Sequence, residues 1–162
     1  MTCTGYIALM STHTKQATFA ATEFPLGVQH LNSAEFTRTG LPFSEIVKAG
    51  ELLYLSGQMG TVPGSAALVE GGIVAEARQA LQNIERALQA HGYSLRHVVK
   101  CTVMLASMED WARFNDVYRE FFKMPYPARS AFGVNGLALG GKLEIDVIAS
   151  VGSERVIMHA PN

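Results

Sequence analysis

Positions 142 to 151 alternate without a break. Leu143, Ile145, Val147 and Ala149 fall on one side; Glu144, Asp146, Ile148 and Ser150 fall on the other. A period of two predicts a sheet strand with one packed face. The stretch from about Ala128 to Val134 predicts another strand. Asn135, Gly136 and the Gly140-Gly141 pair supply a permissive connection, so the two are expected to form a hairpin. Earlier in the chain, Phe43–Lys48 and Leu52–Met59 predict two further strands, joined tightly at Ala49-Gly50-Glu51. The glycine-rich run from Gly60 to Gly72 is expected to hold a short extra strand near Ala67–Val69.

The period changes between these strands. From Ile73 to His91, the residues Ala77, Ala80, Leu81, Ile84, Ala87 and Leu88 recur at spacings of three and four. That spacing marks an amphipathic helix. Arg78, Gln82, Glu85, Arg86 and Gln89 take its outer face, and Gly92 ends it. Val98–Leu105 predicts a strand. Ser107, with Asp110 three residues on, predicts the cap of a second helix. In that helix Trp111, Phe114, Tyr118, Phe121 and Phe122 form an aromatic stripe suited to packing on a sheet, and Pro125 and Pro127 close it.

The order β-β-(β)-α-β-α-β-β predicts an α+β layer: a mixed sheet with two helices on one face. One domain is expected over residues 29–152, with His30–Gly40 a polar lead-in, residues 1–28 a tail or arm, and 153–162 a C-terminal tail. No element is left to cover the second face of the sheet. Leu53, Leu55, Val134 and Ile148 cannot all point inward, so self-association is expected.

Charge narrows the function classes. The formal net charge is −1, so no basic excess is present to neutralise phosphates; nucleic acid is an unlikely partner and an anionic membrane a poor one. No stretch reads as a membrane span. The apolar piece Tyr6–Met10 is too short for a signal peptide and lacks a basic flank. Met10 is an alternative start. Cys3 and Cys101 offer no disulfide framework, and Cys101 lies in an apolar strand; a reduced, cytoplasmic protein follows. His13, His30, His91, His97 and His159 show no ligand spacing, so no metal is expected.

The chemistry on offer is one arginine near one carboxylate. Arg129 opens the first strand of the expected hairpin, while Glu144 and Asp146 sit on the second. Such charges also serve simply to solvate the outer face of a strand.

Several segments together resemble a known family. They are the run Leu53-Tyr54-Leu55-Ser56-Gly57-Gln58, the helix from Gly71 to Leu88, the strand start Val98-Val99-Lys100, and Phe114-Asn115-Asp116-Val117-Tyr118. Pro127-Ala128-Arg129-Ser130 and Lys142-Leu143-Glu144-Ile145-Asp146 complete the match. In order and spacing, from about His30 to Val151, they resemble the RidA/YjgF family of reactive-intermediate imine deaminases, also labelled endoribonuclease L-PSP.

The resemblance implies a chorismate-mutase-like α+β fold and a homotrimer. Its sheets would face a central barrel, with three sites in the clefts between subunits. It implies that Arg129 binds a substrate carboxylate and that Glu144 works on water. Ser56 and Gly57 would line the cleft, and Asn115 would lie at the site. Two positions depart from the family pattern: Phe43 stands for the usual tyrosine and Ala131 for a frequent cysteine. The implied reaction is hydrolysis of 2-imino or enamino acids to ammonia and a 2-keto acid. Positioning and one base suffice for it, without metal or cofactor. Two other readings remain open at this stage: RNA cleavage, which the charge disfavours, and a non-catalytic trimer that binds small carboxylates and regulates a partner.

Overall fold

The computed structural model describes residues 27–152. Expectations about Cys3, Met10, His13, His159 and nearly all of both tails lie outside the described residues. Nine elements follow in order: β1 (Val28–Leu31), α1 (Ala34–Thr37), β2 (Ile46–Ala49), β3 (Leu52–Gln58), α2 (Gly72–Ala90), β4 (Val98–Leu105), α3 (Trp111–Phe121), β5 (Ala128–Gly133) and β6 (Leu143–Ser150). The polar lead-in is therefore structured. It supplies the edge strand β1 and the one-turn helix α1, whose Ser33 hydroxyl accepts from the Phe36 N–H at 3.1 Å. A strand of four residues with two polar members carries too weak an alternation to be seen in advance.

The six strands make one mixed sheet in the order β1-β2-β3-β6-β4-β5. This corrects the expected hairpin. β5 runs parallel to β4, with Arg129 beside Cys101, while β6 lies antiparallel between β3 and β4. The reason is the connection. α3 is a crossover that returns the chain to a parallel neighbour. Residues 134–142 then carry the chain past the end of β4, where the Val134 N–H donates to the Leu105 carbonyl and the Ala106 N–H to the Lys142 carbonyl.

One face of the sheet is packed. Leu53, Leu55, Cys101, Val103, Leu143, Ile145, Val147 and Ala149 are buried beneath α2 and α3. All six apolar α2 positions named from the periodicity are buried, and Gly92 ends that helix at φ +81°. Leu53 and Leu55 point inward, whereas Ile148 lies on the other face, so the four named residues do not all face the core. The other face mixes Tyr54, Ile148, Met104 and Phe132 with Lys100, Thr102, Ser130, Glu144 and Asp146. Tyr54 is 44% exposed and Phe132 46%.

Smaller readings also change. The strand expected at 67–69 is a single bridge, Thr61 to Leu68. Ser107 caps the 3-10 turn before α3 rather than α3 itself, and Asp110 pairs with Arg113 at 2.6 Å instead of closing a capping box. Trp111 leaves the aromatic stripe and is 44% exposed. Two polar α2 residues are buried with work to do. Glu76 Oε2 accepts from the Lys142 N–H at 2.7 Å, and Asn83 donates to the carbonyls of Met59 and Thr61. Together they fix the segment just past the end of β3 and the start of β6.

Candidate active site

The residues singled out from the sequence fall into two places. The first is built by β4, α3 and β5. Arg129 sits opposite buried Cys101, so its side chain rises on the helix face of the sheet. There α3 presents Phe114, Asn115 and Tyr118, all buried; the first and last lie on one face at i, i+4. Arg129 Nη2 donates to Asn115 Oδ1 at 2.7 Å. The guanidinium carbon lies 4.7 Å from the Tyr118 ring centroid and 5.6 Å from that of Phe114, within cation–π range. The Tyr118 hydroxyl donates to Cys101 Sγ at 3.4 Å. Burial pushes the Cys101 thiol up to about 11 and raises the Tyr118 phenol, so both stay neutral beside the cation. Ala131 follows on the same face of β5, opposite Val103 and against the core.

The second place is built by β3, β6 and the segment before β2. Glu144 lies opposite Met104, which puts it on the uncovered face. Its carboxylate rests over Gly57, where an ideal Cβ would overlap it. The β3–β6 register shifts between Leu55 and Gln58, and this irregularity carries Ser56 and Gly57. The Ser56 hydroxyl donates to the Ser44 carbonyl at 2.6 Å and its N–H to the Glu45 carbonyl at 3.1 Å. Phe43, next to Ser44, is 48% exposed and packs on Phe36 with ring centroids 5.6 Å apart.

The structure therefore brings Arg129, Asn115 and Ala131 together, and separately Phe43, Ser56, Gly57 and Glu144. It does not bring Arg129 to Glu144 or Asp146. β4 separates their strands, and their side chains leave opposite faces of the sheet. The expected pairing within one hairpin is corrected by the same crossover that places β5 at the sheet edge. Sequence reasoning missed Phe114 and Tyr118 as partners of Arg129. The aromatic stripe was the available signal, read as packing alone. Among the described residues, no cluster of three or more His, Cys, Asp or Glu is placed to hold a metal ion, and no helix is long and apolar enough to cross a membrane.

Residues 36–151 match the family described as Endoribonuclease L-PSP, and the chain belongs to that family, the one its motifs resemble. Among its relatives, a goat (Capra hircus) protein named 2-iminobutanoate/2-iminopropanoate deaminase is 46% identical over 111 residues, covering 68% of this chain and 81% of the goat protein. The crystal structure of a yeast protein, YEO7, superposes with a TM-score of 0.71 at 36% identity, covering 76% of this chain and 98% of the other. RidA from the Antarctic bacterium Psychrobacter superposes with a TM-score of 0.65 at 40% identity, covering 68% of this chain and 89% of that one.

Proposed function

We propose that this chain is a metal-independent hydrolytic deaminase of small 2-imino and enamino acids; the goat relative is named a deaminase of 2-iminobutanoate and 2-iminopropanoate. The observation that carries the reading is the arginine. Its guanidinium is seated on two rings and one buried amide, and among the described residues it pairs with no carboxylate. A planar fork held in that way suits a substrate carboxylate, which it grips through two parallel hydrogen bonds.

Glu144 is the base in this reading. Its carboxylate takes a proton from water as the oxygen adds to the C=N carbon and passes that proton to the nitrogen. It then takes the proton of the new hydroxyl and passes it to the amine as the C=O forms and the C–N bond breaks. Ammonia leaves and a 2-keto acid remains. Within one chain Arg129 and Glu144 face away from each other, so the site is shared. Arg129, Asn115 and Ala131 come from one copy; Phe43, Ser56, Gly57 and Glu144 come from its neighbour. Three copies, about 52 kDa from three chains of 17.5 kDa, turn their uncovered sheet faces toward a common barrel in the cytoplasm. Phe43 gives the cleft an apolar wall without a hydroxyl. The test is ammonia or keto-acid release from a panel of freshly generated imino acids. Absence of release from every member, with carboxylate binding retained, would leave a small-carboxylate-binding trimer.

A further inference from the structure

Arg129 lies on an edge strand, half-buried, with a single side-chain hydrogen bond among the described residues. One bond does not fix a side chain with four rotatable torsions. Its orientation must come from something else, and the surroundings offer two rings, of which Tyr118 is the nearer at 4.7 Å against 5.6 Å for Phe114. Tyr118 is buried in the core, with 4% of its surface exposed. Its ring contacts Phe122, just past the end of α3, at 4.5 Å between centroids and Phe114 at 5.7 Å, so three tilted aromatic rings form one cluster. Its hydroxyl is tied to Cys101 on the strand beneath. The ring is thereby held at both ends, by α3 through its Cα and by β4 through its oxygen.

We propose that Tyr118 is the positioning residue of Arg129, a seat that holds the guanidinium for carboxylate binding. The donors of a guanidinium lie in its plane, whereas an aromatic ring attracts it through its face. A ring beneath that face can therefore hold the group without consuming a donor. A carboxylate partner in the same place would hold it as firmly but would take the very hydrogen bonds that a substrate needs. Asn115 takes one N–H and sets the rotation about the ring normal, which leaves other in-plane N–H groups for a ligand. Burial keeps the phenol neutral, so the seat adds no charge that competes with an incoming carboxylate.

The proposal rests on Arg129 being the carboxylate anchor, and the experiment separates the two ideas. Tyr118→Leu removes the ring, Tyr118→Phe keeps it and removes the hydroxyl, and Arg129→Lys tests the anchor itself. Steady-state kinetics would be read with 2-iminopropanoate, and affinity with 2-oxobutanoate. Tyr118→Leu is expected to raise KM and the 2-oxobutanoate Kd by roughly tenfold while kcat changes less than about threefold; Tyr118→Phe should restore both to within about twofold of the parent. A Tyr118→Leu protein with parental KM and Kd overturns the seat, as does a Tyr118→Phe protein damaged equally. If Arg129→Lys alone has parental KM, the anchor reading fails instead. A spectroscopic arm needs no core variant. In the unaltered protein the Arg129 side-chain protons, assigned through Arg129→Lys, should show upfield ring-current shifts that are absent from a solvent-exposed arginine such as Arg113. Unshifted resonances would overturn the proposal even if Tyr118→Leu did not fold.

Discussion

Around Arg129 the chain places atoms: two rings, one of them a phenol anchored on a thiol, and a buried amide. Around Glu144 it leaves atoms out. Gly57 keeps its Cα bare beneath the carboxylate, and no side-chain hydrogen bond restrains Glu144 among the described residues. In the proposed reaction the two charged groups thus meet different demands. A binding cation profits from a fixed plane, because each lost degree of freedom is one fewer to lose on association. A general base must accept and return a proton, and a carboxylate saturated with donors would be too weak a base to do so. The contrast also matches where each sits: the arginine on the packed face where rings are available, the glutamate on the uncovered face.

The sharpest way to break this comparison is to damage each half in a different copy. Arg129→Lys and Glu144→Gln should each lower kcat/KM roughly 100-fold, with Asp146→Asn the milder control. Unfolded together and refolded as a mixture, the two inactive variants should recover about one quarter of the parental activity if the proposed cyclic trimer with shared sites forms, because one site in four then holds an intact Arg129–Glu144 pair. A mixture as inactive as its components would mean that both groups act from one copy or that neither acts.

Gly57→Ala probes the open half alone. The added methyl overlaps the Glu144 carboxylate and must swing it aside. Gly57 is not among the positive-φ glycines, so alanine fits the backbone. A roughly tenfold fall in kcat with a melting temperature within a few degrees of the parent is expected; parental kcat would show that Glu144 needs no clearance.

The packed half has its own signature in pH. Cys101 ionises near 9.0 when unfolded and near 11 when folded. Because the folded value is raised, its contribution to stability is complete below about pH 9 and is lost as the pH rises toward about 11, at up to about 1.4 kcal/mol per pH unit. The Tyr118 phenol, raised in the same way from 10.0, steepens the fall at still higher pH. Thermal melts from about pH 8 to about pH 10.5 should show the decline, and Cys101→Ala should flatten its first part. The smallest effect belongs to Phe43→Tyr, which returns a hydroxyl to a half-exposed ring. It should alter kcat/KM for 2-iminopropanoate by less than about threefold, and a larger change would make Phe43 a determinant of the reaction itself.

The sequence made one strand and one helix plain. The alternation from Leu143 to Ser150 and the spacing from Ala77 to Leu88 both describe which side is buried, and both are buried as written. Motif positions were legible too, since Arg129, Asn115, Gly57 and Glu144 could be named from their runs. What the sequence hid was adjacency. A glycine-rich link between two strands reads as a hairpin, because nothing in residues 134–142 shows that they cross the end of β4 rather than turn back. For the same reason the faces of Arg129 and Glu144 were invisible, since each depends on its neighbour in the sheet. Tyr118 was hidden differently. A buried tyrosine in an aromatic stripe has sufficient cause in packing, and only the placement of β5 brings a cation to it.

The parallel pairing of β4 with β5 also bears on the order in which the protein takes shape. Cys101, Phe114, Asn115, Tyr118 and Arg129 all lie within the continuous strand–helix–strand run from Val98 to Gly133. Glu144, by contrast, finds Gly57 only when chain segments roughly ninety residues apart are joined through β3 and β6, and such distant closures are slow. During synthesis the arginine pocket is already spelled out before the codon for Glu144 is read. Pulsed amide exchange during refolding should therefore protect β4, α3 and β5 ahead of the β3–β6 ladder, so that the cradle of Arg129 forms first and Glu144 reaches Gly57 last.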